Sequence, residues 1–200
     1  MYMALISKPK RKNRGNYTNE DAVEKTIQYV TRTKAGYTDE PAHTYGGFGI
    51  NSENVDLMCR QFRSVQAIYH KEHYGKRIFH ECVSFYPWEI MDENGFNRID
   101  EIAYKFGAIY FLEGFQAVYA THMDTEYPHI HYIVNATNFV DGHKFNYKLP
   151  DVGHREEYLN RVIYECLGRV AAIYRIDDMG WTPKYYDELK DYCFHSGFLL

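Results

Sequence analysis

Two apolar runs of period two, "FQAVYATH" at 115–122 and "PHIHYIVNATNF" at 128–139, are separated only by "MDTEY" and Pro128. So short a link between two strands makes an antiparallel hairpin the simplest connection, and the rest of the chain must pack around it. Alternation along a strand sends His129, His131, Ile133 and Asn135 to one face and Ile130, Tyr132, Val134 and Ala136 to the other. With His122 set opposite His129, all three histidines share a face. Directly opposed Cβ atoms lie about 4.5–5.5 Å apart and diagonal ones about 7–8 Å. Imidazoles from such origins can meet one ion at about 2.0–2.2 Å per bond.

A single histidine on a strand is ordinarily a satisfied core or surface residue. Two at i and i+2, with a third at the matching end of the hairpin, point instead to a metal site. Neutral imidazoles suit Zn, Mn, Fe, Co and Ni, so they do not choose the metal. Three protein ligands leave coordination positions open, as catalysis requires. Asp124 is expected either to orient an imidazole from outside the ligand set or to be a solvated loop carboxylate. A further strand, "IFHECVSF", extends the sheet and brings to the histidine face either His80, Cys82 and Ser84 or Glu81 and Val83; the register is not readable. His143 and His154 are read as surface histidines.

Elsewhere, Val23, Ile27 and Val30 mark the buried stripe of a helix over about 19–33, with Thr18 and Asp21 at capping-box spacing. "GYTDEPAHTYGGFGINS" reads as a loop. Val55, Met58, Phe62, Val65 and Tyr69 predict a helix over about 53–73. "KRIFHECVSFYP" is a strand ending before Pro87. "MDENGFN" is a turn, and Ile99, Ile102, Phe106 and Ile109 predict a helix over about 98–113. The Asp-Gly of "VDGHKF" predicts a hairpin into another strand at 143–147. Helices over about 154–175 and 183–194 complete an α+β fold, a central antiparallel sheet with helices packed on both faces. The 200 residues suit a single domain, with its core over about 4–150 and C-terminal helices over about 154–194.

Four scattered cysteines, Cys59, Cys82, Cys166 and Cys193, lack CxxC spacing. They argue against a structural zinc site and a disulfide framework, and for a cytoplasmic protein with reduced thiols. No run reaches the roughly 20 apolar residues of a membrane span. The net charge of −4 does not advertise nucleic-acid binding. The charge is uneven, however: Lys8, Lys10, Arg11, Lys12 and Arg14 form a basic arm that is either a solvated tail or a phosphate-binding segment.

The spacing H-x-D-x4-H-x-H in "HMDTEYPHIH", followed by an apolar strand ending in Asn, closely resembles the third motif of the relaxase (mobilisation nuclease) family. These are HUH single-strand endonucleases of plasmid and conjugative transfer. Many members carry a further histidine five residues after the first, where this chain has Tyr127. "FHECVSF" resembles the family's second motif, a His followed by Ser-Phe, matching His80, Ser84 and Phe85. "NEDAVEKTIQYVTRTK" resembles its first, a helix whose nucleophilic tyrosine falls on Tyr29, and "VDGHKF" resembles the Gly-Lys hairpin after the histidine strand. The likeness spans about residues 4–150.

The resemblance implies a metal-dependent enzyme acting on single-stranded DNA at an origin of transfer. Tyr29 would attack a chosen phosphodiester and become linked to the 5′ phosphate. A divalent ion, Mn2+ or Mg2+ foremost, would sit on His122, His129 and His131. Tyr29 lies beside the buried stripe, near Thr26 and Ala22; Tyr17 and Tyr37 flank the same helix as reserve candidates. Glu81 and Asp124 are the candidate proton acceptors. DNA contacts are expected from the basic arm, Arg32, Lys34, Ser84 and Lys144. Accessory relaxosome proteins are implied by the family, and a longer protein of which this is the N-terminal portion is expected. The alternatives are a rolling-circle replication initiator of the HUH class and a metal- or DNA-binding module without nuclease activity. The upstream third histidine and the early tyrosine favour the relaxase.

Overall fold

The computed structural model describes residues 3–7, 17–33, 42–146, 149–177 and 180–184. Its centre is the hairpin of β4 (Ala117–His122) and β5 (His129–Asn135), with β3 (Ile78–Phe85) antiparallel on the other side of β5. The sheet extends to seven strands in the order β2-β4-β5-β3-β1-β6-β7. The added strands are β1 (Met3–Ser7), β2 (Thr44–Phe48), β6 (Ala172–Asp177) and β7 (Gly180–Lys184). All neighbours are antiparallel except β1 and β6, which run parallel.

Helices cover both faces. α1 (Ala22–Thr31) and α2 (Val55–Ile68) bury Val23, Ile27, Val30, Met58 and Phe62 against Ile78, Val118, Ala120 and Ile133. α3 (Ile99–Leu112) and α4 (Leu149–Leu167) enclose a second core on the opposite face, where Ile102, Phe106, Tyr110, Leu159 and Ile163 join Ile130, Tyr132 and Val134. Alternation along β5 separates these two sets. Among the described residues, no helix is long and apolar enough to cross a membrane.

The structure corrects the sequence reading in four places. Residues 44–48 are an edge strand, not loop. Gly46 pairs with Tyr119 and has no Cβ, and an added Cβ would lie 2.6 Å from the tyrosine hydroxyl oxygen. The glycine content that suggests a loop therefore serves close cross-strand packing. Of the strand expected over 143–147, the described residues 143–146 form no ladder; one bridge joins Thr137 to Lys144, and the intervening turn is held by Asn138, whose Oδ1 accepts from the Val140 N–H at 2.7 Å. The helix expected to run to 175 stops at Leu167, where Gly168 turns left-handed (φ 65°) and its N–H returns to the Tyr164 carbonyl. The chain then forms β6, and residues 183–184 belong to β7; the rest of the expected 183–194 helix lies outside the described residues.

A buried amide network locks the inner end of β5. Asn135 Nδ2 donates to the Phe62 carbonyl at 3.0 Å and to Gln116 Oε1 at 2.9 Å, while its Oδ1 accepts from Gln66 Nε2 at 2.9 Å. All three side chains are buried. Removing Asn135 would orphan several polar groups at once, each costing about 1–3 kcal/mol. Asn135→Ala is therefore expected to lower unfolding free energy by about 3 kcal/mol in urea titration.

Candidate metal centre and tyrosine site

The register is the one the histidine spacing requires. His122 pairs with His129, and Ala120 with His131. The small Ala120 leaves room for the His131 ring on this face. On the other side of β5, Cys82 pairs with His131 and Ser84 with His129, so His80, Cys82 and Ser84 share the histidine face. The three rings lie 4.8–5.0 Å apart by centroid. One ligand nitrogen from each of His122, His129 and His131 lies within 4.8 Å of the other two.

Each imidazole is steered through its other nitrogen. His122 Nε2 lies 2.7 Å from the Val30 carbonyl, which can only accept, so this nitrogen carries the proton and Nδ1 holds the lone pair. His129 Nδ1 donates to the Tyr127 carbonyl at 3.0 Å, leaving Nε2. His131 Nδ1 lies 2.9 Å from His80 Nε2, and His80 Nδ1 lies 3.2 Å from the Tyr17 hydroxyl. If His131 presents the lone pair of Nε2, its Nδ1–H donates to His80, and His80 donates in turn to the Tyr17 oxygen. Burial pushes the His122 pKa down to about 4, against the Val30 hydrogen bond. Burial also lowers His129 and, with neighbouring His80, lowers His131 well below the ordinary range. Neutral rings that each bring one nitrogen within 4.8 Å of the other two fit a divalent cation, for which the Arg32 Nη2, 3.2 Å from His122 Nδ1, would give way.

Tyr29 comes to the same place from α1. Its ring centroid is 6.1 Å from that of His131, and it is 36% exposed. The helix ends directly after it: Arg32 is left-handed (φ 53°), and its guanidinium turns back over the site. Arg32 Nη2 donates to both Asp124 oxygens at 2.8 Å and lies 3.2 Å from His122 Nδ1. Burial works against the charge on Asp124, but the Arg32 bonds outweigh it and hold the carboxyl below its ordinary range. Asp124 therefore reaches the imidazole through Arg32 and not directly.

Two expected residues stand elsewhere. Glu81 is on the other face of the sheet, because β3 alternates. It is buried and accepts from the Tyr110 hydroxyl at 2.8 Å, so the structure does not bring it together with Tyr29 and the histidines. Lys144 bridges to Thr137 and donates to the Lys76 carbonyl at 2.8 Å. Thr137 is eight residues along the chain from His129, roughly 26 Å of extended chain. Burial lowers the Lys144 pKa to about 8. Ser84 does flank the site, opposite His129. Lys8, Lys10, Arg11, Lys12, Arg14, Lys34 and Tyr37 lie outside the described residues. The supporting roles that sequence reasoning missed are those of His80, matched only to the family's second motif, and Tyr17, named only as a reserve nucleophile. His80 carried a signal, its i, i+2 and i, i+4 spacing to Cys82 and Ser84; Tyr17, 63 residues away, carried none.

The lowered imidazole pKa values set a pH dependence. The unfolded rings take up protons near pH 6.5 and the folded ones only at lower pH, so the folded state is favoured fully above 6.5 and loses stability as pH falls toward about 4. For His122 the shift corresponds to roughly 3 kcal/mol. Urea midpoints in chelator are expected to drop between pH 7 and 4.5, and to drop less in His122→Gln. Equal slopes for the two proteins would contradict the buried, neutral ring.

The family model described as "Relaxase: MobA/VirD2-like, nuclease domain" matches residues 29–165, beginning at Tyr29 and including all three histidines. No curated protein and no solved structure gives a significant match. With more than half of the chain covered and a three-histidine cluster on the central hairpin, this chain belongs to the relaxase family.

Proposed function

We propose that the protein nicks and rejoins one DNA strand at an origin of transfer, using a divalent cation and a covalent link between Tyr29 and the 5′ phosphate. The observation that carries the reading is the tyrosine ring beside the neutral histidine cluster, 6.1 Å from His131 by centroid. A bound Mn2+ or Mg2+ would polarise a non-bridging oxygen of the scissile phosphate and offset the charge that builds on it.

The chain's own residues supply the rest. His122, His129 and His131 would hold the cation, and the Val30 carbonyl, the Tyr127 carbonyl and His80 fix their rings. The Tyr29 oxygen attacks phosphorus as the bond to the 3′ oxygen breaks. The phenolic proton passes, through solvent, to the departing oxygen, which becomes a 3′ hydroxyl. Phenol is a poor nucleophile at neutral pH, with a pKa of about 10, so it needs this electrostatic help. The phosphotyrosine conserves the diester linkage, and attack by a 3′ hydroxyl reverses the step without a further cofactor. Arg32, held by Asp124, adds a fixed positive charge for the backbone, and Ser84 and the basic arm extend the contact. We place the reaction in the cytoplasm, with accessory relaxosome proteins, and take the 200 residues as one nuclease domain.

Incubated with Mn2+ and a single-stranded oligonucleotide carrying the origin sequence, the protein is expected to form a denaturant-resistant conjugate that disappears in Tyr29→Phe. A conjugate that persists in that variant would move the nucleophile elsewhere. Absence of any conjugate despite bound metal would favour a non-catalytic binding module. His129→Ala and His131→Ala are each expected to weaken Mn2+ binding in calorimetry by more than about 100-fold, beyond the 10- to 100-fold typical of losing an outer hydrogen-bond partner, and to abolish the conjugate.

A further inference from the structure

We propose that Tyr86, Trp88 and Tyr127 form a stacking ledge for the unpaired bases that flank the scissile phosphate. The inference rests on the reading of the histidine cluster as a strand-processing site, and it adds how the strand itself is held. It starts from chain continuity. Beyond Ser84 the backbone stays extended through Tyr86 (φ −74°, ψ 151°), so Tyr86 follows Cys82 and Ser84 on the histidine face. The Phe85 N–H donates to the Pro128 carbonyl at 2.9 Å, which carries the pairing with the β5 segment past His129. Tyr86 thereby meets Tyr127 edge-on, at 5.3 Å between centroids and 68° between planes. It stacks on Trp88 at 4.7 Å and 12°. Tyr127 also supplies the carbonyl that orients His129, so ledge and metal ligand share a residue.

The rings are displayed, not packed away. Trp88 is 59% exposed and Tyr127 42% exposed. Tryptophan is usually highly buried, and leaving one in solvent forfeits its largest contribution. Yet the turn that carries it is firmly built. Pro87–Ile90 is a 3-10 turn in which the Tyr86 N–H donates to Glu89 Oε2 at 2.8 Å, and Glu89 is buried. From beyond α4, Arg169 Nη2 donates to the carbonyls of Trp88 (3.2 Å), Glu89 (3.1 Å) and Met91. A rigid turn that holds an exposed indole against Tyr86, itself two residues beyond the strand partner of His129, suits a flat ligand with an open π face.

Unpaired bases offer that face, and a duplex hides it. Stacking on an aromatic side chain changes single-strand affinity by about 5- to 150-fold per base and tolerates any base. The ledge would thus select single strands and seat the nucleotides next to the reacting phosphate without reading their sequence.

The test measures binding of a fluorescent single-stranded oligonucleotide spanning the origin of transfer, in a Tyr29→Phe background that prevents cleavage. Trp88→Ala is expected to weaken binding by about 10-fold, with Trp88→Phe recovering most of it and Tyr127→Leu weakening it similarly. Mn2+ affinity should stay unchanged in the two Trp88 variants. One abasic position near the nick should weaken Trp88 protein by a similar factor and Trp88→Ala protein not at all. Unchanged oligonucleotide affinity in Trp88→Ala, or the same abasic penalty with and without the indole, would overturn the ledge and leave the surface to another occupant. A protein that binds the strand through Trp88 but, with Tyr29 intact, forms no conjugate would keep the ledge and remove the nicking reading. Conjugate formation with Trp88-independent binding would do the reverse.

Discussion

The site depends on the pairing register of three adjacent strands. In β3, β5 and β4 the pairs Cys82–His131 and His122–His129 put every ring of the cluster on one side of the sheet. A slip of one residue would carry His129 and His131 into the α3 and α4 core and bring Tyr132 out among the ligands. Such a slip is costly because both faces of β5 are buried, and because Asn135 is fixed at the far end by hydrogen bonds to α2 and β4's flank. The hydrophobic core and the amide network thus place the three polar rings.

Burial decides the chemistry of those rings. Desolvation keeps them neutral, and each has one nitrogen engaged by a group that the fold already holds in place. The bond from His122 to the Val30 carbonyl has a second effect. It caps the last turn of α1 one residue after Tyr29, so the helix that carries Tyr29 and the three-histidine cluster are joined at 2.7 Å. Arg32 adds a charge-assisted link from the same helix end to Asp124 on the β4–β5 connection.

What the sequence revealed follows from the range over which each feature acts. Period-two alternation and a short connection are local, so the β4–β5 hairpin and its histidine face were legible residue by residue. The stripe of Val23, Ile27 and Val30 likewise located α1, and the likeness to relaxase motifs singled out Tyr29. Register between β3 and β5 is set by contacts about 50 residues apart, so Glu81 and His80 could not be separated until the strands were paired. β2 was hidden because Gly46 makes way for a tyrosine across the sheet, a reason that no local pattern contains. Gly168 was a visible stop signal after α4, but the apolar run beyond it fits a helix or a strand equally well, and only its pairing with β1 decides.

The central claim is that three imidazoles from neighbouring strands share one cation within reach of a phenol. Anomalous diffraction from crystals soaked in manganese tests it directly. The account expects a single strong peak bonded to one nitrogen each of His122, His129 and His131 at about 2.0–2.2 Å, on the side of the sheet that carries Tyr29. A peak elsewhere, or histidine rings divided between the two faces of the sheet, would contradict it.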